Sequence, residues 1–435
     1  MGDLKTEPTS KVGASSKSEA PAGPGGGISS KIHDAARKTD GYSNQAKLYA
    51  PKELSPDKFF AAYEATRRQG FAPSYIGKLE AGLGLAPTMS PSPELAKAIA
   101  ERETAAGKKP TGKLDTPQRK WLATELPELA TEAPFPVVGE AGTARARKGS
   151  TEVPENEAVQ NAGLAANYTA YLATLSKGSF LGHGVVGHPQ FLARVSGAES
   201  YLVAKLGKGP GEIGEAWGIE EVEGLRPSTK AQDQLHHGTG FALDVNSAQN
   251  NWNFGNGANA AMMEALMQDV ALLLGQKVDK SAANLAATKG KTTEEIYDAV
   301  SASNEALKRY RSLAADPAAL AAYVQSPDCP EKARAVGVDG WKARMAKQAS
   351  RFAARAKANA TVAGPAGFMD QRKELIVALR DVGGLRWGAT DFGEKKSGDI
   401  MHFDGHHMGT AEKIRREKAK VVAASAAKKT DAGGQ

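Results

Sequence analysis

Cysteine is all but absent from this chain. Of 435 residues only Cys329 carries a thiol, so no intrachain disulfide can form and no cluster of thiolates can hold a metal. Any transition-metal site must therefore draw on His, Asp and Glu. Histidine is scarce as well. There are eight, and five of them sit at two places: His236 and His237, then His402, His406 and His407. Long apolar runs are missing too. No stretch of roughly 18 apolar residues occurs, which predicts no membrane span. The opening MGDLKTEPTSKVGASSKSEAPAGPGGG has no apolar h-region, so it does not read as a signal peptide and predicts synthesis in the cytoplasm. Aromatic residues are only 6% of the chain, yet hydrophobic residues reach 41%, enough for a core. The net charge of +7 points to polyanions as partners, but no nucleic-acid-binding motif is present.

The composition changes along the chain. Residues 1–45 are rich in Gly, Ser, Pro, Lys and Ala and cannot bury enough surface to offset ordering entropy, so disorder is expected. Residues 53–125 read as a small helical module. SPDKFFAAYEATRRQG opens on a capping Ser and Pro, and SPELAKAIAERETAAGKKPTGKLDTPQRKWLATE repeats the order of helix, Gly turn and short helix. This segment resembles the small three-helix peptidoglycan-binding modules attached to many wall hydrolases. Residues 126–157 read as a Pro-, Gly- and charge-rich linker. A larger domain is expected over 158–410, with a helical segment from about 255 to 380 lying between two strand-like runs, GFALDVN and DIMHFD. Residues 411–435 read as a basic disordered tail that starts as a helix and then frays. No convincing internal repeat stands out.

The chemistry gathers at the two strand-like runs. Counted from His237, QLHHGTGFALDVN places Gly240, Ala242 and Asp244 at offsets of three, five and seven. Strand alternation sets Ala242 and Asp244 on one face, and Gly240 lets the chain fold back so that His237 reaches that face. In the second run His402 and Asp404 share a face, and Asp399, three residues ahead of His402, requires a bend. Two histidines and a carboxylate are three protein ligands of the kind a catalytic zinc uses.

The motifs His-x6-Asp and Asp-x-x-His, followed in that order and preceded by the Trp-Gly step of GLRWGATDFGEKKSGDIMHFD, resemble the zinc peptidases that include D-alanyl-D-alanine carboxypeptidases and phage L-alanyl-D-glutamate endolysins, whose fold is shared with the hedgehog signalling domain. The resemblance covers about 180–410. It implies an α+β fold: a small antiparallel sheet carrying a zinc site, a long helical insertion, and the N-terminal helical module as an addition. It implies one Zn2+ per chain on His237, Asp244 and His402, with Asp399 as general base. Arg226, in VEGLRPSTKAQ, would stabilise the oxyanion. Trp387 and His236 stand as candidate substrate contacts. This chain departs from the pattern in three ways: a longer gap from Asp244 to Asp399, an Asp base where many carboxypeptidases have Glu, and Leu235 where a serine is usual.

The function so implied is zinc-dependent hydrolysis of an amide bond in a peptidoglycan stem peptide or cross-link, by a phage lysin or a delivered wall-degrading effector. Peptidoglycan is then the partner. Action at the wall or periplasm would follow release outside the general secretory route or injection, with delivery machinery engaging the disordered N-terminus. Two alternatives are a non-catalytic zinc-containing binding module of the same fold, and a cytosolic D,D-dipeptidase.

Overall fold

The computed structural model describes residues 49–136, 142–143, 157–226, 236–247, 257–275, 291–356, 371–392 and 399–432. The expected disordered segment 1–45 lies outside them. The described chain is mostly helical, with two small antiparallel sheets.

The N-terminal module has four helices, α1 Pro56–Arg67, α2 Pro73–Gly82, α3 Pro93–Ala105 and α4 Thr116–Glu125. Each has proline in its first turn, where the missing N–H costs nothing. Ser92 and Asp115 cap α3 and α4 by accepting the N–H of Leu95 and Gln118, whereas the side chain of Ser55 makes no cap bond to α1. Ile76, Leu79, Leu95, Ile99, Leu114 and Leu122 form the module's core. Each contributes about 1.5–3 kcal/mol by burial.

The module contains a repeat that the sequence reading did not find. The carboxylate of Glu80 accepts the N–H of Thr88 and Met89, and the carboxylate of Glu103 accepts the N–H of Thr111 and Gly112. Gly84 and Gly107 both take a left-handed conformation, and Ser92 and Asp115 both cap the next helix. Each of these residues follows its counterpart by 23 positions. What recurs is a polar scaffold for a helix–loop–helix unit, with the core residues Ile76, Ile99 and Leu122 at the same spacing.

The expected linker 126–157 is packed where it is described. Leu126 and Leu129 bury in the module's core, and Phe135 stacks on Phe71 with ring centroids 5.2 Å apart. Its apolar residues find an adjoining surface, which the count of Pro and Gly did not reveal. Strand β1 (Gly142–Thr143) pairs with β2 (Ser176–Phe180), which pairs with β3 (His183–Gly187).

Helices α5 (Glu157–Asn161) and α6 (Tyr168–Leu172) precede that hairpin; α7 (Pro189–Leu206) and α8 (Pro210–Ala216) follow it. The second sheet holds β4 (Val222–Glu223), β5 (Ala242–Val245), β6 (Arg386–Trp387) and β7 (His402–Asp404) in the order β4-β5-β7-β6. Between β5 and β6 run α9 (Gly257–Leu274), α10 (Thr293–Ala315), α11 (Pro317–Gln325), α12 (Glu331–Arg334), α13 (Gly337–Ala356) and α14 (Lys373–Val377), the last continuing into a π-helical turn, Ala378–Val382. Their apolar faces share one core with the sheet and α7. Gln371 ties this segment back to the sheet by donating to the carbonyl of Val245 at 3.2 Å.

The tail, expected to start as a helix and then fray, keeps its helix further than expected: α15 spans Gly409–Ala432. Alanine, lysine, glutamate and arginine are strong helix formers, and Glu412–Arg416 and Glu417–Lys420 pair along the helix. Ile414 fixes the helix by burying among Ala158, Val159, Tyr168 and Tyr171.

Candidate metal centre

His237 lies on a 3-10 turn, His237–Thr239, just ahead of β5. Gly240 ends that turn with φ +68°, and a Cβ there would come within 2.8 Å of the His188 nitrogen, so only glycine fits. The turn is clamped from α6. The hydroxyl of Tyr168 donates to the Gly238 carbonyl, and that of Tyr171 donates to the Thr239 carbonyl at 2.8 Å. The Arg226 N–H donates to the His237 carbonyl at 3.2 Å.

The antiparallel register sets Asp244 directly opposite His402, and Ala242 opposite Asp404. His237 folds over this pair. Its Nδ1 is 2.6 Å from the Gly224 carbonyl, so that nitrogen donates there and Nε2 is the atom turned toward the pair. His237 Nε2 lies 3.2 Å from His402 Nδ1 and 3.1 Å from Asp244 Oδ2, and His402 Nδ1 lies 2.8 Å from Asp244 Oδ1. Three donor atoms around a tetrahedral zinc with bonds near 2.0–2.1 Å stand about 3.3 Å apart. The two imidazole nitrogens stand at about that separation, and Asp244 meets His237 through Oδ2 and His402 through Oδ1, so one carboxylate touches both. All three residues are buried. The set could hold a metal ion that takes nitrogen and oxygen ligands together.

The electrostatics are those of a cation site. Burial alone would raise the Asp244 carboxyl, but His237 and His402 override it and hold it far below the usual carboxylate range. Burial alone would lower His402, but Asp244 overrides it and lifts the imidazole to about 9. In the absence of a metal, a proton on His402 thus balances the buried carboxylate.

Asp399 sits ahead of a turn at Ile400–Met401 that leads into β7, the bend that its spacing requires. Its N–H donates to the Gly388 carbonyl at 3.2 Å, and its carbonyl accepts the His402 N–H at 3.4 Å. Burial pushes its carboxyl up to about 6, opposed by His402 and reinforced by Asp244. Its Oδ1 is buried and has no hydrogen-bond partner among the described residues. Gly388 stands against it so closely that a Cβ would lie 2.3 Å from the Asp399 carbonyl oxygen. That contact explains the glycine of the Trp-Gly step.

Arg226 is 34% exposed at the edge of the site, bonded to Glu223 at 2.9 Å and 3.9 Å from Asp244. His236 is 23% exposed, with Nδ1 3.1 Å from Asp404 and its ring beside those of Phe392, His402 and His406. Trp387 is a different matter. It is fully buried, its indole N–H donates to the Ile400 carbonyl at 2.8 Å, and its ring stacks on Phe403. The expected substrate contact at Trp387 is corrected to a core residue, because the strand turns that side chain into the sheet's packed face.

Several residues of the site carried no role in the sequence reading. Asp404 binds Arg386 through both oxygens, at 2.7 and 2.6 Å, and lies 3.8 Å from His402 Nε2. A carboxylate behind a ligating imidazole orients it. The alternation of HFD already set Asp404 on the face of His402, which was the available signal. A second triple, His236, His402 and Asp404, also has metal-like spacing. Its carboxylate is engaged by Arg386, so the triple with Asp244 is the better cation site. His406 is half-buried, with Nδ1 2.9 Å from the Arg386 guanidinium.

Compared with protein-family models, with curated proteins and with solved structures, the chain gives no match.

Proposed function

We propose that this chain is a zinc-dependent peptidase that hydrolyses an amide bond in the stem peptides or cross-links of peptidoglycan. One zinc per chain would be held by His237, Asp244 and His402. The observation that carries the reading is the donor triangle beside a buried carboxylate oxygen of Asp399 that has no partner among the described residues. When bound, zinc supplies a Lewis acid and lowers the pKa of a coordinated water.

The chain's own groups do the rest. Asp399 accepts a proton at its free oxygen and returns it to the leaving nitrogen; a carboxyl held near 6 is suited to both steps. The Arg226 guanidinium, at the open edge of the site, holds negative charge that develops on the carbonyl oxygen. His236 and Phe392, both half-buried beside His402, offer ring surfaces to a bound peptide. The substrate class rests on the resemblance and on the net charge of +7, which favours an anionic wall. No helix among the described residues is long and apolar enough to cross a membrane. Action at the wall after injection or non-secretory release belongs to the same proposal.

The test is digestion of purified peptidoglycan by the zinc-loaded protein and by Asp399→Asn, with fragments read by mass spectrometry. New peptide termini from the wild type alone are expected, and they name the bond. Intact wall from a fully zinc-loaded wild type would overturn the peptidase reading and leave a zinc-containing binding module. Cleavage confined to small free dipeptides would indicate the D,D-dipeptidase.

A further inference from the structure

A buried cluster of charges joins three parts of the chain that are far apart in sequence. Arg67, at the end of α1, is 1% exposed and forks onto Glu64 at 3.1 and 2.7 Å. It also donates to the carbonyl of Arg380 at 2.9 Å and lies 3.8 Å from Asp381. Arg380 and Asp381 belong to the π-helical turn, a rare geometry that often marks a functional site. From α10, Thr293 accepts from Arg380 at 2.7 Å and donates to Asp381 at 2.6 Å.

The cluster ends on backbone beside the metal centre. Arg380 grips Asp391 with two bonds, at 2.8 and 2.7 Å. The same carboxylate accepts the Trp387 N–H at 2.8 Å, while the Asp391 and Thr390 N–H groups donate to the Trp387 carbonyl at 2.8 and 3.1 Å. Residues 387–391 are thereby locked as a turn. Gly388 lies inside it. Its N–H donates to the His402 carbonyl at 2.8 Å, and its carbonyl receives the Asp399 N–H. Where Gly388 sits, Asp399 must sit, because no gap separates them.

We propose that Arg67 and Arg380 are positioning residues for Asp399, so that the N-terminal helical module is a working part of the site and not a detachable wall anchor. The catalytic meaning of this rests on the peptidase reading; the mechanical coupling does not. A buried ion cluster is a poor source of net stability, since desolvation cancels most of its attraction. What it supplies is geometry. Arginine forks fix angles as well as distances, and the final link here is to the peptide group next to Gly388.

The experiment uses the full-length, zinc-loaded chain. Amide hydrogen exchange is followed by mass spectrometry in the wild type, in Arg67→Met and in Arg67→Lys, together with zinc content and turnover of soluble muropeptides. In Arg67→Met, exchange across 387–402 should accelerate about tenfold or more, as that local unit opens more readily. Zinc should remain at one per chain. The kcat should fall on the order of tenfold to a hundredfold, with KM within about twofold, as expected when a base is displaced without loss of binding. Arg67→Lys keeps the charge but cannot reach Glu64 and the Arg380 carbonyl at once, so it should recover only part of both effects. Loosening confined to 56–67, with wild-type exchange at 387–402, would overturn the proposal. If Arg67→Met does not fold, the same comparison is made with Arg67→Lys, and wild-type exchange at 387–402 in that variant overturns it equally. A zinc-loaded wild type that cuts no muropeptide would sink the peptidase reading, while the exchange data would still decide whether Arg67 holds the segment of Asp399.

Discussion

Replacing Gly388 with alanine tests the site with a single added carbon. The new Cβ would lie 2.3 Å from the Asp399 carbonyl oxygen, 3.1 Å from the Asp399 Cβ and 3.1 Å from the Phe392 ring. Ordinary contact begins near 3.4 Å, so one partner must yield by about 1 Å. Gly388 itself is held by the His402 carbonyl at 2.8 Å, and Trp387 is fully buried beside it. The Asp399 side of the contact is therefore the one that moves. His402 is secured by its pairing with β5 and stays in place. A misplacement of about 1 Å costs on the order of a hundredfold in rate, equivalent to about 2.7 kcal/mol of transition-state stabilisation. We expect Gly388→Ala to keep one zinc per chain and to lose roughly that factor in kcat on soluble muropeptides. Gly184→Ala is the control, since a Cβ there meets nothing within 4 Å. Turnover of Gly388→Ala within about threefold of that control would refute the claim that this contact sets the base.

Two further outcomes follow from the geometry. His237→Ala and His402→Ala should each abolish stoichiometric zinc, because each removes one of three ligands; full occupancy by elemental analysis in either variant would dismiss the assignment. Ile414→Ala should destabilise the fold by about 2–5 kcal/mol, as a buried aliphatic truncation does, and should also weaken zinc binding, since Ile414 packs with the tyrosines that clamp the His237 turn. Denaturant melts and a zinc titration measure the two effects, and unchanged zinc affinity in a destabilised variant would show that the clamp is not transmitted.

The sequence made the metal centre legible because its ligands obey short-range rules. Period-two alternation fixes which face Asp244 and His402 occupy, and a glycine three residues after His237 signals a reversal. The same rules say nothing across long separations. Tyr168 and Tyr171 lie 70 and 68 positions from the carbonyls they hold, and Arg67 lies 313 from Arg380, so no local pattern announces them. Trp387 stood both as a core residue and as a substrate contact, because an aromatic beside a motif can serve either, and the burial of its ring with the indole N–H on the Ile400 carbonyl separates the two. The start of the C-terminal helix was legible, but its length was not, because lysine-rich composition was weighed above the helix propensity of alanine and above one buried anchor, Ile414. The 23-residue repeat escaped notice because it recurs at a few scattered positions, Glu80 and Glu103, Gly84 and Gly107, Ile76 and Ile99, among helices whose other residues differ.

The strand order also governs how the protein is made. β7 lies inside the second sheet, between β5 and β6, yet it pairs with β5 across a separation of 158 residues, from Asp244 to His402. A chain emerging from the ribosome therefore displays β5, with the apolar Phe241, Leu243 and Val245, long before its neighbour exists. Until then it has an open edge, the kind of surface that recruits other chains. Closing so distant a pair is slow compared with forming the intervening helices. The three ligands can therefore meet only once β7 has been made: a nascent or truncated chain lacking residues 402–404 has two of the three ligands and a β5 paired with β4 alone, making it prone to aggregation rather than partly active.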